Sequence, residues 1–168
     1  MNMFVPDMYK KDIFSINYKK LKTKGIKVLL FDFDNTLIEK GIYTIKGETV
    51  KLFKELKKTF NIYIISNSIH TSKLRKICEE LETPYIKGSI KPFKRGFKRL
   101  DLNNIKNEEI AMIGDQVLTD VLGGHRMNYY TILIDPINNN ELLLTKLNRI
   151  IENIVLKKNN LKRGRYYD

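Results

Sequence analysis

The chain has 168 residues, with 31 lysines and arginines against 19 aspartates and glutamates, which gives a net charge of +12. This length suits one domain, and no stretch approaches the roughly 20 apolar residues of a membrane-spanning helix or the apolar run of a signal peptide. One cysteine, Cys78, excludes an internal disulfide and is interpreted as a core residue. We expect a single cytoplasmic domain, residues 1–168, in which residues 1–24 form an N-terminal arm or helix and residues 159–168 a basic tail that can be flexible.

Five short apolar runs predict buried strands, and they alternate with segments of helical periodicity. The predicted strands are residues 26–33, 61–67, 84–88, 109–115 and 129–135. The predicted helices are residues 47–60, 71–81, 92–102, 120–128 and 141–158. This alternation indicates an α/β fold, namely a doubly wound parallel sheet with helices on both faces.

Polar residues follow four of the predicted strands. They are Asp32, Asp34 and Thr36 after the first strand, Ser66 and Asn67 after the second, Lys91 after the third, and Asp115 and Asp120 after the fourth. Any one of them alone would more often be a turn or cap residue. In a parallel sheet, however, the carboxyl ends of the strands meet at one edge, where ligands bind. We therefore expect these side chains to form one site.

Three carboxylates brought together in that site would repel one another, so a cation is expected among them. Mg²⁺ prefers oxygen ligands and binds carboxylates together with a substrate phosphate. Lys91 adds positive charge and Ser66 a hydroxyl donor, a combination that suits a phosphate monoester. We predict that Asp32 attacks phosphorus, that Asp34 is the general acid and base, and that Asp115 is a metal ligand.

Two further polar residues are expected behind these groups. Asp120 would orient Lys91 or the waters of the metal, and Thr36 would support the first motif.

The motifs, in this order, resemble those of the haloacid dehalogenase-like (HAD) phosphohydrolases. They are DFDNT, the serine of ISNS, the lysine of IKP, and GDQVLTD. The segments GIKVLLFDFDNTL, KPFKRGF and IGDQVLTDVLGGHRMNYYTILIDPI are similar to the YqeG-type, subclass IIIA branch, over most of the chain up to about residue 140. That branch is similar to phosphatidylglycerophosphate phosphatases, which dephosphorylate a phospholipid headgroup.

The resemblance implies a role for each motif residue. Asp32 would be the phosphorylated nucleophile, and Asp34 would offer its backbone carbonyl to Mg²⁺. The implied metal ligands are Asp32, Asp34 and Asp115, and the implied phosphate-binding groups are Ser66, the amide of Asn67 and Lys91.

The spacing of the motifs leaves no room for a cap domain. Members of the superfamily that enclose small substrates carry a cap between the first and second motifs or between the second and third. Here the predicted helices and strands already occupy both intervals, so we predict a capless domain. An open site suits a substrate with its own bulk, such as a membrane surface, a protein or a nucleic-acid end.

The positive charge favours phosphate-bearing partners but does not choose among them, and an AT-rich genome would raise the lysine content without any function. We expect a lipid phosphate such as phosphatidylglycerophosphate, with peripheral contact at the inner face of an anionic membrane and no obligate protein partner. The alternative is a phosphatase of nucleic-acid 3′ ends or another polyanionic phosphoester. A non-catalytic binding module is disfavoured because every chemical residue is present.

Three local features leave alternatives open. The N-terminal segment MFVPDMYKKDIFSINYKKL could rest in an anionic interface, or it could cross the sheet and bury its apolar side chains. In KPFKRGFKR, Phe93 and Phe97 are interpreted as core residues and the charges as a solvated rim that borders the site, with contact at an anionic interface as the alternative. His125, where asparagine is expected in GGNR, is interpreted as a surface turn residue, with a position in the cleft as the alternative.

Overall fold

The computed structural model describes residues 2–69, 71–100, 102, 104–138, 154, 155, 157, 158, 162 and 164–168. Its strands are β1 (Met8–Lys10), β2 (Val28–Asp32), β3 (Asn61–Ile65), β4 (Tyr85–Ile86), β5 (Ile110–Gly114) and β6 (Tyr130–Ile134). Its helices are α1 (Tyr18–Thr23), α2 (Gly47–Leu56), α3 (Thr71–Glu80), α4 (Lys94–Phe97) and α5 (Leu122–Arg126). The strands form one parallel sheet in the order β1-β6-β5-β2-β3-β4, which confirms the predicted doubly wound α/β fold.

The central strand, β2, is buried on both faces along its whole length. Leu29 and Phe31 face one apolar core, where the ring of Phe31 lies 5.1 Å from that of Phe53 on α2. Val28 and Leu30 face a second core on the other side of the sheet. Each fully buried side chain of this kind contributes about 1.5 to 3 kcal/mol. The position and direction of β2 are therefore firmly set, and with them the place where it ends.

The strand order reverses beside β2. It leaves β2 for β3 and β4 on one side and then returns to form β5 on the other side. The connections that follow β2 and β5 consequently diverge and leave a crevice at the carboxyl edge. Asp32 is the last residue of β2, and Asp115 directly follows β5.

The edge strand β1 was not predicted from the sequence. Its three residues are too few to show a strand period, and the segment forms a strand only because it pairs with β6. Met8, Tyr9 and Ile13 are buried, so this part of the N-terminal segment packs on the core. From the other end of the chain, Tyr167 forms an antiparallel bridge to Tyr9, which holds the end of the basic tail against β1.

Two predicted helices differ in extent from the observed ones. Within the helix predicted over residues 92–102, the structure has the shorter helix α4. Beyond α4 the backbone N–H groups of Arg99 and Leu100 donate to carbonyls three residues earlier, as in a 3₁₀-helix, which is tighter than an α-helix. The helix predicted over residues 120–128 begins at Leu122, after a π-helical turn over Val117–Val121. The helix predicted over residues 141–158 lies outside the described residues, apart from four residues near its end.

Two of the side-chain interpretations were wrong. Phe97 is buried as expected, but Phe93 is exposed, because it precedes α4 instead of lying on its inner face. His125 is neither a surface turn residue nor a cleft residue. It is buried on α5 and contacts Asp7 and Thr131, which lie toward the amino ends of β1 and β6.

Both intervals between the first three motifs have the content that the sequence predicted. Among the described residues, the first holds α2 and β3 and the second holds α3 and β4, with no inserted domain. None of the helices in the described part of the chain is both long enough and apolar enough to cross a bilayer.

Candidate active site

A buried ion pair lies at the carboxyl end of β2. The Nζ of Lys91 donates a hydrogen bond to Oδ1 of Asp32, and it also lies 3.3 Å from the backbone carbonyl of Ile65 on the neighbouring strand. Asp32 and Ile65 are register partners in the sheet. Lys91, which follows β4, therefore reaches across β3 to the end of the central strand.

A third charged group completes this arrangement. Asp120, from the π-helical turn after β5, accepts a hydrogen bond from Lys91 Nζ at 2.7 Å and another from the backbone N–H of Gln116 at 3.1 Å. The carboxylate of Asp120 lies directly against Gly114, where a Cβ atom would come within 2.3 Å of it. Glycine at the end of β5 is thus what allows Asp120 to approach Lys91.

Burial and charge have opposing effects on these groups. Burial raises the pKa of the Asp32 carboxyl well above its usual value; Lys91 opposes this shift, while the carboxylates of Asp120 and Asp115 add to it. Burial alone would lower the pKa of Lys91, but Asp120 and Asp32 outweigh it and hold that pKa above its usual value. Lys91 is therefore a permanent positive charge beside Asp32.

The oxygens of Asp32, Asp115 and Asp120 form an all-oxygen group of buried carboxylates. One oxygen from each lies within 4.8 Å of the others. Oxygen donors of this kind are what Mg²⁺ prefers, and a divalent cation would offset the repulsion among these three carboxylates, of which Asp32 and Asp120 contact Lys91. The residues present thus fit a divalent metal.

The side chain of Asp34 lies outside this group of carboxylates. It is about one third exposed (34%) and is paired with Lys73 of α3, whose Nζ donates to Asp34 Oδ1 at 3.1 Å. Lys73 also donates to the backbone carbonyl of Glu39 at 3.2 Å. The sequence reasoning missed Lys73, because a lysine beside the apolar face of a helix has no spacing that separates it from the other lysines of the chain.

The second motif is bonded to the connection that carries Lys91. The side-chain oxygen of Asn67 accepts hydrogen bonds from the hydroxyl of Ser89 and from the backbone N–H of Lys91, both at 2.7 Å. The Asn67 side chain thus positions the lysine, which the sequence did not predict. The hydroxyl of Ser66 accepts the backbone N–H of Ser68 at 3.0 Å and can still donate its own hydrogen.

Thr36 supports the first aspartate. Its hydroxyl group donates to Oδ2 of Asp32 at 3.3 Å. Since Lys91 contacts the other oxygen, both oxygens of the Asp32 carboxylate have a defined neighbour.

Two solved structures have the same fold as this chain. The magnesium-bound HAD-hydrolase YfnB from Bacillus subtilis is 14% identical, with a TM-score of 0.55 over 76% of this chain and 99% of its own. The cobalt-bound deoxy-D-mannose-octulosonate 8-phosphate phosphatase YrbI from Haemophilus influenzae is also 14% identical, with a TM-score of 0.53 over 83% of this chain and 92% of its own. The parallel sheet and these neighbours define the class: this is a HAD-like α/β fold.

Sequence relatives narrow this class to a family. Residues 1–138 match the family described as mitochondrial PGP phosphatase. The chain is 36% identical to the probable phosphatase YqeG of Bacillus subtilis over 155 residues, which is 91% of this chain and 90% of that protein. It is 26% identical to phosphatidylglycerophosphate phosphatase 1 of Arabidopsis thaliana, a chloroplastic and mitochondrial protein, over 82% of this chain and 42% of that protein. The chain belongs to this PGP phosphatase family and is a HAD-like, YqeG-type phosphatase.

Proposed function

We propose that the protein is a Mg²⁺-dependent phosphomonoesterase that acts through an aspartyl-phosphate on Asp32. The observation that carries this proposal is the buried contact of Asp32 with Lys91, beside Asp115 and Asp120, at the carboxyl end of the central strand. A nucleophile at the end of a strand buried on both faces has little freedom to move, and attack on phosphorus requires a fixed direction.

The reaction has two steps. A carboxylate oxygen of Asp32 attacks phosphorus, the ester P–O bond breaks, and Asp34 donates a proton to the leaving oxygen. Asp34 then accepts a proton from a water molecule, whose oxygen attacks phosphorus and breaks the bond to Asp32, so that inorganic phosphate is released. The exposure of Asp34 suits this role, because leaving group and water reach the site from the solvent side.

The remaining residues would bind and neutralise the phosphoryl group. Lys91 contributes a permanent positive charge, and the hydroxyl of Ser66 and the backbone N–H of Asn67 act as donors. Asp32, Asp115 and the backbone carbonyl of Asp34 would hold Mg²⁺, which supplies charge neutralisation at the phosphoryl oxygens when it is bound. Asp120 would hold Lys91 in place, and Thr36 would hold Asp32.

The substrate we propose is a lipid phosphate, phosphatidylglycerophosphate, presented at the surface of an anionic membrane. The match to the PGP phosphatase family and the similarity to the Arabidopsis enzyme support this choice. The absence of an inserted domain among the described residues of the motif intervals supports it as well, because an open site admits a headgroup that remains in its membrane.

Replacement of Asp32 tests the mechanism. We expect Asp32→Asn to lower the Mg²⁺-dependent hydrolysis of an aryl phosphate by at least about a thousandfold, since an amide cannot form the covalent intermediate. Thr49→Ser, a conservative change of a buried residue on α2, serves as the control and should remain active. Full activity in the Asp32→Asn protein would contradict the mechanism.

A comparison of two substrates tests the choice of lipid. Phosphate release from phosphatidylglycerophosphate in mixed micelles is measured beside release from an oligonucleotide with a 3′ phosphate, at equal enzyme and Mg²⁺. We expect turnover of the lipid only. Turnover of the oligonucleotide with the lipid untouched would refute the lipid assignment and leave the mechanism in place.

A further inference from the structure

The exposed apolar side chains of this protein gather at one edge of the sheet. Ten large apolar side chains are exposed among the described residues, and most lie on segments that leave the carboxyl end of a strand. These are Phe14, Ile42, Tyr43, Ile69, Ile90, Phe93 and Ile137. Single exposed apolar residues are normal on a protein surface, but a concentration at one edge marks an interaction site. This edge is also the one that carries the candidate active site.

Four of these side chains lie on the connections that follow β2, β3 and β4, and we call them the mouth ring: Ile42, Tyr43, Ile69 and Ile90. Their exposed fractions are 44%, 59%, 76% and 59% in that order. The ring of Tyr43 lies 5.9 Å from the Lys73 amine that binds Asp34. Ile90 directly precedes Lys91 in the chain.

Ile69 is joined to the same region through the backbone. It follows Ser68, whose carbonyl accepts the N–H of Gly88 at 3.0 Å. The connections after β3 and β4, which carry Ile69 and Ile90, are therefore bonded to each other beside Ser66, which binds phosphate in the proposed mechanism.

The backbone at Ile90 points to a function for this residue. Its φ is +55°, a left-handed conformation that a β-branched residue rarely adopts. Its side chain is also largely exposed, so burial in the core does not explain isoleucine at this position. Glycine or asparagine would suit the backbone better, which indicates that the apolar side chain is used by something outside the described structure.

Positive charge surrounds the mouth ring. Exposed lysines on the connections that carry the mouth ring are Lys40, Lys46 and Lys87. Two acidic side chains lie near them, Glu39, which accepts from Asn138, and Glu48, which is exposed on the first turn of α2, so the lysines outnumber the carboxylates by one. The edge therefore combines aliphatic side chains with surplus positive charge.

This combination selects among possible partners. Single-stranded nucleic acid is held by aromatic rings that stack on bases, whereas three of the four mouth-ring residues are isoleucines, which cannot stack. Protein interfaces are typically enriched in aromatic residues and arginine, whereas here the cations are lysines. Aliphatic side chains that enter the acyl boundary, surrounded by lysines that contact headgroups, are what an anionic bilayer binds.

We propose that the mouth ring docks on an anionic lipid bilayer and holds the active site against the headgroups. This proposal rests on the proposed function, since it supplies the route by which a phosphate remaining in the membrane reaches Asp32. It also differs from one of the two alternatives that the sequence left open, in which the N-terminal segment rests in the membrane interface. Met8, Tyr9 and Ile13 of that segment are buried and are not available for a membrane.

Vesicle co-sedimentation of the full chain tests the proposal. The wild-type protein is compared with Ile42→Ser/Ile69→Ser on vesicles of phosphatidylcholine alone and on vesicles that also contain phosphatidylglycerol. We expect the wild type to bind the anionic vesicles, more weakly at high salt, and the double variant to bind them at least roughly tenfold more weakly. Neither substituted residue belongs to the catalytic machinery, so hydrolysis of a soluble aryl phosphate should remain unchanged.

A matched control removes two exposed apolar side chains from elsewhere. Met3 precedes the amino end of β1, and Ile154 lies near the C-terminal end of the chain; both are exposed. Met3→Ser/Ile154→Ser should bind anionic vesicles as the wild type does. An equal loss of vesicle binding in both double variants would show that binding depends on surface hydrophobicity in general, and it would refute the mouth ring as the docking site.

Three other outcomes would also overturn the proposal. In the first, the wild-type protein does not bind anionic vesicles. In the second, the Ile42→Ser/Ile69→Ser variant binds them as tightly as the wild type. In the third, the variant differs from the wild type only in the mass of the protein oligomer, which would show that the mouth ring contacts another protein chain. Failure of the proposed function would be seen separately, as a wild-type protein without Mg²⁺-dependent hydrolysis of the aryl phosphate, whatever the vesicles show.

Discussion

Lys73 fixes the position of the proposed proton donor. Its amine donates to the Asp34 carboxylate and to the carbonyl of Glu39, and it lies 5.3 Å from the centre of the Phe33 ring. These contacts restrict the conformations of a carboxylate that is otherwise partly exposed to solvent. A general acid contributes only when it is held within reach of the leaving oxygen. In the proposed reaction, Lys73 is therefore a positioning residue.

Replacement of Lys73 should affect poor leaving groups most. We expect Lys73→Met to lower kcat roughly tenfold to a hundredfold for an alkyl phosphate and much less for para-nitrophenyl phosphate, whose leaving group needs little protonation. Lys73→Arg should restore part of the loss. Lys76→Met, on an exposed position of the same helix, is the matched control. An equal loss with both substrates would contradict the positioning role.

The edge of the sheet is held by a buried cluster between elements. Nδ1 of His125, on α5, lies 2.9 Å from the Met3 carbonyl, and its Nε2 lies 3.2 Å from the carboxylate of Asp7 just before β1. The hydroxyl and the backbone N–H of Thr131, on β6, each donate to the same carboxylate at 2.8 Å. A three-residue strand has little stability of its own, so these contacts stabilise the pairing of β1 with β6.

This cluster predicts a pH dependence of stability. Burial lowers the pKa of His125, but Asp7 and the Met3 carbonyl outweigh it, so that the pKa is raised. For Asp7, burial raises the pKa, but His125 and Thr131 outweigh it, so that the pKa is lowered. The stabilisation that His125 contributes is thus fully present below its usual pKa of 6.5 and is lost as the pH rises through its raised pKa. The stabilisation that Asp7 contributes is present above its usual pKa of 3.8 and is lost as the pH falls through its lowered pKa.

Chemical denaturation at two pH values measures this effect. We expect His125→Asn to lower the free energy of unfolding by about 1 kcal/mol more at pH 6 than at pH 8, because the charged pair exists mainly at the lower pH. Lys98→Gln, a change of an exposed charge, should reduce stability equally little at both pH values. A His125→Asn penalty that does not change with pH would show that the histidine acts by packing alone.

At the scale of the whole molecule, the fold brings carboxylates from distant parts of the chain into one group. The ends of β2 and β5 and the turn after β5 contribute Asp32, Asp115 and Asp120. Their mutual repulsion opposes folding, and a cation that binds only the folded state would relieve it and add to stability.

Thermal unfolding with and without Mg²⁺ tests this coupling. At about a hundredfold excess over the dissociation constant, Mg²⁺ should add about 2.7 kcal/mol and raise Tm by roughly 5 to 10 °C relative to EDTA. Asp115→Asn should abolish most of this increase, whereas Glu80→Gln, on the exposed face of α3, should retain it. The same increase in the Asp115→Asn protein would place the ion elsewhere.

The sequence alone determined the sheet, its parallel character and the motif residues at its edge. Strands such as Val28–Asp32, whose two faces are both buried, are apolar up to the aspartate at the end, and this composition is visible locally. The aspartates at their ends stand out against such runs. The convergence of Asp32, Lys91 and Asp120 then follows from a general property of parallel sheets, before any coordinate is known.

Only the tertiary structure decided the edge strand and the contacts between distant side chains. A strand as short as β1 has no period of its own, and it exists because β6 offers it a partner. Lys73, His125 and the mouth ring carry no local signal either, since a lysine, a histidine or an exposed isoleucine is ordinary until its neighbours are known. Hydrophobic periodicity records which residues are buried along one element. Which side chains meet between elements, and which are left exposed around the site, depends on contacts between segments far apart in the chain.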